Sequence, residues 1–162
     1  MSPIEIAVTL VAVERLAELA VARRNTRRLL ASGAVEYGAR HYPFIVALHV
    51  AWLVTLLVWV PEDAPIRWPL LALFVLLQFA RVWVIVSLGP YWTTRIIVPP
   101  GAPTIRRGPY RWLRHPNYAI VAAEIALLPL AFNAWDVALV FSLANALLLS
   151  YRIRSEEAAR GE

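Results

Sequence analysis

The chain has no cysteine and no lysine, and only one methionine. The missing cysteines exclude disulfides, thiolate zinc sites and a cysteine nucleophile, and no metal site is expected. With no lysine, all sixteen basic residues are arginines, and the net charge is +5. Charge is scarce overall: 17% of residues are charged and 60% are hydrophobic. Soluble domains lie nearer about 25% and about 45–50%. With a mean hydropathy of +0.59, this composition belongs to a membrane protein, with lipid around it. The basic balance then reflects anionic lipid and topology, and no nucleic-acid partner is expected. The length leaves room for one membrane-embedded domain, residues 1–162. No strand followed by GxGxxG appears, so a Rossmann-type nucleotide site is not expected. No internal repeat or low-complexity tract is present.

What is there is five apolar segments, at about 3–22, 44–60, 68–88, 118–132 and 134–151. A spanning helix takes about 20 apolar residues. The last two segments read as a helical hairpin broken at "FNAWD" (132–136), with Pro129 kinking or ending its first arm. One very long helix is the alternative. The expected fold is therefore an all-α integral membrane protein with five transmembrane helices. Arginines cluster in 23–43 (Arg23, Arg24, Arg27, Arg28, Arg40), in 89–117 (Arg95, Arg106, Arg107, Arg111, Arg114) and after 151 (Arg152, Arg154, Arg160). The positive-inside rule puts these stretches in the cytoplasm, with the N-terminus outside and the C-terminus inside. The first segment has no basic n-region and carries Glu5, Glu14 and Glu18, so it is not expected to be a cleavable signal.

The loop 89–117 holds six of the twelve prolines and the aromatics Tyr91, Trp92, Tyr110 and Trp112. Proline stiffens a loop by restricting its unfolded states, so this one reads as a folded lid over a binding site. Each helix also carries a polar group at about 8–13 Å from its cytoplasmic end, counted at about 1.5 Å per residue. These are Glu14, Arg15 and Glu18, then His49, then Gln78 and Arg81, then Glu124, then Asn145. Ionisable groups at that depth normally face a bundle interior or a wet cavity. The reading is a polar pocket open to the cytosol, floored by acyl chains, that takes an amphiphile. His49, Arg81, Asn145 and Trp92 are its candidate substrate-binding residues.

"GPYRWLRHPNY" (108–118), then Glu124, then "RIRSEE" (152–157) resembles the isoprenylcysteine carboxyl methyltransferase family. "ERLAELAVARRN" (14–25), "GAVEYGARHYPFIVALH" (33–49), "LGPYWTTRIIVPPGAP" (88–103) and "NALLLSYRIRSEE" (145–157) are similar to one bacterial branch of it. The resemblance implies S-adenosylmethionine as methyl donor, bound between the 89–117 loop, the start of the fourth helix and the C-terminal arm. It implies cofactor contacts from His115, Tyr118, Gly108, Pro109, Tyr110 and Glu156, with Arg152 or Arg154 holding the substrate anion. In that branch the substrates are alkylpyrones and phenolic lipids, and the location is a bacterial plasma membrane. In the family a further segment follows the glutamate pair, whereas here only "AARGE" does. A second protomer could supply the closing element, which would make a homodimer.

Methyl transfer is an in-line displacement, so alignment provides much of the rate. A carboxylate or acidic enol is already ionised and needs an arginine fork to hold it. A less acidic phenol needs a base, for which Glu124 or His49 is the candidate. Arg154, Arg152 and Glu124 are thus the expected catalytic residues. Two other functions fit the same pattern. One is an NADPH-dependent reductase of lipid double bonds on a related fold; the other is a non-catalytic membrane scaffold.

Overall fold

The computed structural model describes residues 1–101 and 106–160, the Arg160 side chain excepted. Pro103 and that side chain, both counted above, lie outside the described residues. Among the described residues five α-helices form: α1 (Pro3–Ala31), α2 (Tyr42–Trp59), α3 (Trp68–Leu88), α4 (Pro116–Ala131) and α5 (Trp135–Arg160). Proline stands in the first turn of α1 to α4, where its missing N–H costs nothing. Ser2 and Glu5 close α1 with a reciprocal capping box.

Two helices run further than hydropathy suggests. α1 continues through Arg23, Arg24, Arg27 and Arg28 to Ala31, and α5 continues from Ser150 to Arg160. Arginine is a good helix former, so a helix leaving lipid need not stop at the first charge. The helical fold class holds, with one short addition. Val35–Tyr37 (β1) pairs antiparallel with Ile96–Val98 (β2), Glu36 opposite Ile97. The molecule is helical with a two-stranded ribbon at one end. Arg95 Nη1 reaches both carboxylate oxygens of Glu36, at 3.1 and 3.2 Å, along that ribbon.

α4 and α5 form the hairpin, not one long helix. Asn133 takes φ +58°, and the Ala134 N–H bonds Pro129 O at 2.9 Å. The α2–α3 connection clamps this turn: Arg67 N–H donates to Ala131 O at 2.8 Å and Asn133 Nδ2 to Pro65 O at 2.7 Å. The apolar core lies toward the same end, where Ile4, Trp52, Leu56, Phe74, Ile125 and Leu128 pack together. At the opposite, loop-bearing end, Asn25 of α1 donates to the carbonyls of Gly89 (3.1 Å) and Trp92 (2.8 Å).

Among the described residues, three helical stretches are long and apolar enough to cross a membrane: Ala39–Trp59, Trp68–Tyr91 and Trp135–Ala159. α4 is apolar but shorter, and α1 carries more charge. Val50, Val54, Val58, Phe79, Val86 and Leu147 are all exposed on the three long helices. An apolar surface that extensive belongs in lipid, and the protein is an integral membrane protein.

Candidate active site

Two polar clusters form at different depths. The deeper one is a buried ion-pair network. Arg15 of α1 bonds Glu18 and Glu124, each at 2.8 Å. Arg81 of α3 grips both oxygens of Glu18 and reaches Glu124 at 3.3 Å. Glu124 is only 3% exposed. The depth argument therefore brings four charged groups together, but as partners of one another. His49 and Gln78 bond their own helix backbones, at Ile45 O and Phe74 O. Asn145 is buried on α5 and makes no hydrogen bond to the network among the described residues. Both guanidiniums contact Glu124 Oε2, and its buried Oε1 has no hydrogen-bond partner.

The second cluster lies at the loop end, about 9 Å up α4 from Glu124 by helical rise. Tyr118 OH donates to Glu156 Oε2 at 2.6 Å and accepts from Arg152 Nε at 2.8 Å. Arg152 Nη2 donates to Thr94 O at 2.8 Å, and its guanidinium lies 5.3 Å over the Tyr118 ring. His115 stacks on Tyr118 with ring centres 5.2 Å apart and planes 10° off parallel. Its Nδ1 is 3.8 Å from Glu156. Thus His115, Tyr118, Arg152 and Glu156 converge from the α4 start and from α5. Arg152 and Glu156 stand at i and i+4, on one helix face. Arg154 is exposed and lies outside this cluster, because two residues along a helix turn it away.

The turn Gly108–Arg111 packs on α3 instead. Gly108 has φ +55°, and a Cβ there would overlap Ser87 Oγ. Arg107 Nε donates to Ser87 O at 2.5 Å beside it. Gly108→Ala should therefore lower stability by about 1–3 kcal/mol through backbone strain and the clash, read as a lower unfolding midpoint in detergent. Pro109 lines an apolar groove of about 340 Å³ between α3 and α4. Trp83, Leu77, Trp112, Pro116 and Ile120 line it too, so it begins one residue from His115. Tyr110 is half-buried on that turn. Trp92 is buried in the loop and does not line the groove.

The donor set of this cluster can be matched to S-adenosylmethionine, the donor that the resemblance implies. The ligand carries a carboxylate, an ammonium, a sulfonium and a flat purine. Here stand one guanidinium, one carboxylate and a stacked aromatic pair. The buried Oδ1 of Asn117, between His115 and Tyr118 in sequence, has no hydrogen-bond partner. An orphaned acceptor of that kind suits a ligand N–H. The residues fit the group.

Residues 70–160 match the model of the Isoprenylcysteine carboxyl methyltransferase (ICMT) family. The chain belongs to that family. Membership makes it a membrane methyltransferase, and the family's methyl donor is S-adenosylmethionine. A Bacillus subtilis (strain 168) protein, "Uncharacterized protein YpbQ", is 42% identical over 159 residues, covering 96% of this chain and 95% of its own. A Haemophilus influenzae "Uncharacterized protein" is 28% identical over 153 residues, covering 90% and 87%. No solved structure matches. The ICMT-family match spans α3 to α5 and so contains the whole His115–Tyr118–Arg152–Glu156 cluster. The Glu156 contact is made within one chain, so the homodimer proposed to close this side finds no support. Sequence reasoning missed Asn25, which holds the loop, Thr94, which holds Arg152, and Asn117. Asn25 and Thr94 had a visible signal, as polar residues inside stretches already noted as similar to the bacterial branch.

Proposed function

We propose that the protein transfers a methyl group from S-adenosylmethionine to an ionised oxygen of a bilayer-borne amphiphile. The acceptor would be a carboxylate, enol or phenol, and alkylpyrones or phenolic lipids are the favoured class. All five helices cross the membrane in this reading, with the N-terminus outside and the loop end in the cytoplasm of a bacterial cell. The observation that carries it is the adjacency of the two surfaces at the start of α4. The charged aromatic cluster begins at His115 and the apolar groove begins at Pro116. A polar donor and an apolar chain would thus meet there.

Bound donor supplies an electrophilic methyl group on a sulfonium. The chain's contribution is alignment and charge. Arg152 offers a planar fork for a carboxylate or oxyanion. Glu156 offers an acceptor for an ammonium or hydroxyl, and the His115–Tyr118 pair offers a flat face. Closing such a site against water strengthens each of these contacts.

The test is a thermal-shift comparison in detergent. S-adenosylhomocysteine at 100 times its Kd should stabilise the protein by about 2.7 kcal/mol, visible as a raised midpoint, and NADPH should not. Stabilisation by NADPH alone would favour a reductase instead, and no response to either would favour a scaffold. Labelled S-adenosylmethionine with a bacterial lipid extract, followed by mass spectrometry, then identifies the product.

A further inference from the structure

The groove between α3 and α4 is built from short rows of side chains. Leu77, Ala80 and Trp83, three residues apart, line it from one side of α3, and Pro116, Ala119 and Ile120 line it from α4. Trp112 of the turn completes the loop end, where its ring meets Trp83 edge-on with centres 6.1 Å apart. Among the described residues, no charged, amide or hydroxyl side chain lines the groove.

Position says what such a groove would hold. Trp83 and Trp112 are 50% and 69% exposed, so the groove opens sideways on the surface that faces lipid. Its loop end begins one residue from His115, beside the Tyr118–Arg152–Glu156 cluster. A molecule lying there has lipid along its length and charged groups at one end. That suits the tail of an amphiphile whose head is at His115.

Size limits the tail. The groove encloses about 340 Å³. A methylene is about the size of a water molecule, whose share of the liquid is about 30 Å³, so about ten carbons of one chain fill the space. Two chains side by side do not fit. The hydrophobic effect does not drive entry, because lipid is as apolar as the groove. Selection then rests on shape: a chain that fits enters, and one that clashes stays in the bilayer. Ala80 and Ala119 are the two small side chains in a wall otherwise made of leucine, isoleucine, proline and tryptophan. They come from different helices, and each adds only a methyl group to the wall, which leaves the width that a chain needs.

We propose that this groove admits the acceptor's alkyl chain sideways from the bilayer, as one chain over about its first ten carbons, and that Ala80 and Ala119 determine which chains are accepted; this rests on the methyltransferase reading above. The acceptor is thus a single-chain amphiphile. A two-chain phospholipid is excluded even though it surrounds the protein.

The experiment uses full-length protein in phosphatidylcholine nanodiscs with labelled S-adenosylmethionine. Two probes share a head and differ in tail: 5-methylresorcinol and 5-pentadecylresorcinol. The proteins are wild type, Ala80→Leu, Ala119→Leu and, as a control on an exposed position of α2, Ala47→Leu. The long-to-short ratio of kcat/KM cancels any loss common to both probes. It should fall about tenfold in the two groove variants, the scale on which an apolar pocket resolves a methylene. It should keep its wild-type value in Ala47→Leu. S-adenosylhomocysteine binding, measured in parallel, reports that each variant is folded. A second measurement needs no variant. A pentadecylresorcinol with a diazirine midway along the stretch that fills the groove should, on irradiation, label α3 or α4 of the wild type. Wild-type ratios in both groove variants overturn the proposal, and so does an equal fall in Ala47→Leu. Labelling confined to α1, α2 or the nanodisc lipid, in a protein that binds S-adenosylhomocysteine, overturns it and leaves the methyltransferase reading standing. A wild type that neither binds S-adenosylhomocysteine nor methylates either probe overturns that reading, and this proposal with it.

Discussion

Arg152→Ala is expected to weaken S-adenosylhomocysteine binding by about 30- to 100-fold, measured by calorimetry in detergent. The side chain is 8% exposed and ties three elements together: Tyr118 OH on α4, Thr94 O in the loop, and its own α5. Hydrogen bonds to a charged group contribute about 1.5–3 kcal/mol each, and about 1.4 kcal/mol is a factor of ten in affinity. Losing one such bond to the ligand and loosening the Tyr118 ring account for the range. Arg152→Lys separates charge from shape. An ammonium keeps the charge but cannot hold Tyr118 OH and Thr94 O through a planar fork, so lysine should remain about tenfold below wild type. Wild-type affinity in Arg152→Ala would remove this residue from the site. Full recovery in Arg152→Lys would mean that charge alone matters. Arg154→Ala, on an exposed position of the same helix, serves as the comparison and should bind normally.

Arg152 and Arg154 also show what the sequence makes legible. The motif names both, and helical phase separates them once α5 is known to reach past residue 151. That extension was hidden because hydropathy ends where charge begins, whereas helix propensity does not. The limits of α3 were readable because Pro69 and Gly89 frame an unbroken apolar run. The β1–β2 ribbon was not readable. Each strand has three residues, too few for an alternating pattern, and their pairing joins segments far apart in the chain. Depth along each helix could be counted, so Glu18, Arg81 and Glu124 were placed at one level. Rotation about each helix axis could not be. Only the structure distinguishes these groups, which face one another, from His49 and Gln78, which bond back to their own helices.

That distinction leads to the second large effect. Glu124→Ala should lower stability by about 3–5 kcal/mol, read from unfolding in mixed micelles. The substitution leaves Arg15 and Arg81 facing Glu18, with Glu14 4.0 Å from Arg15 at the margin. The buried Arg81 and the half-buried Arg15 then share one close anion, and the desolvation of the second cation is no longer offset. Removing Arg15 with Glu124, as Arg15→Met/Glu124→Leu, takes away one charge of each sign. The Arg81–Glu18 pair remains intact. Exchange of a buried ion pair for apolar groups is often neutral or stabilising, so the double variant should regain at least half of the loss. The double-mutant cycle should show a coupling energy of about 0.5–3 kcal/mol. Because the Arg152–Tyr118–Glu156 cluster is untouched, the double variant should also bind S-adenosylhomocysteine like wild type. A stable double variant that binds this ligand but transfers no methyl group would place Glu124 in the chemistry. Retained transfer assigns the network to holding α1, α3 and α4 in the arrangement on which the site is built.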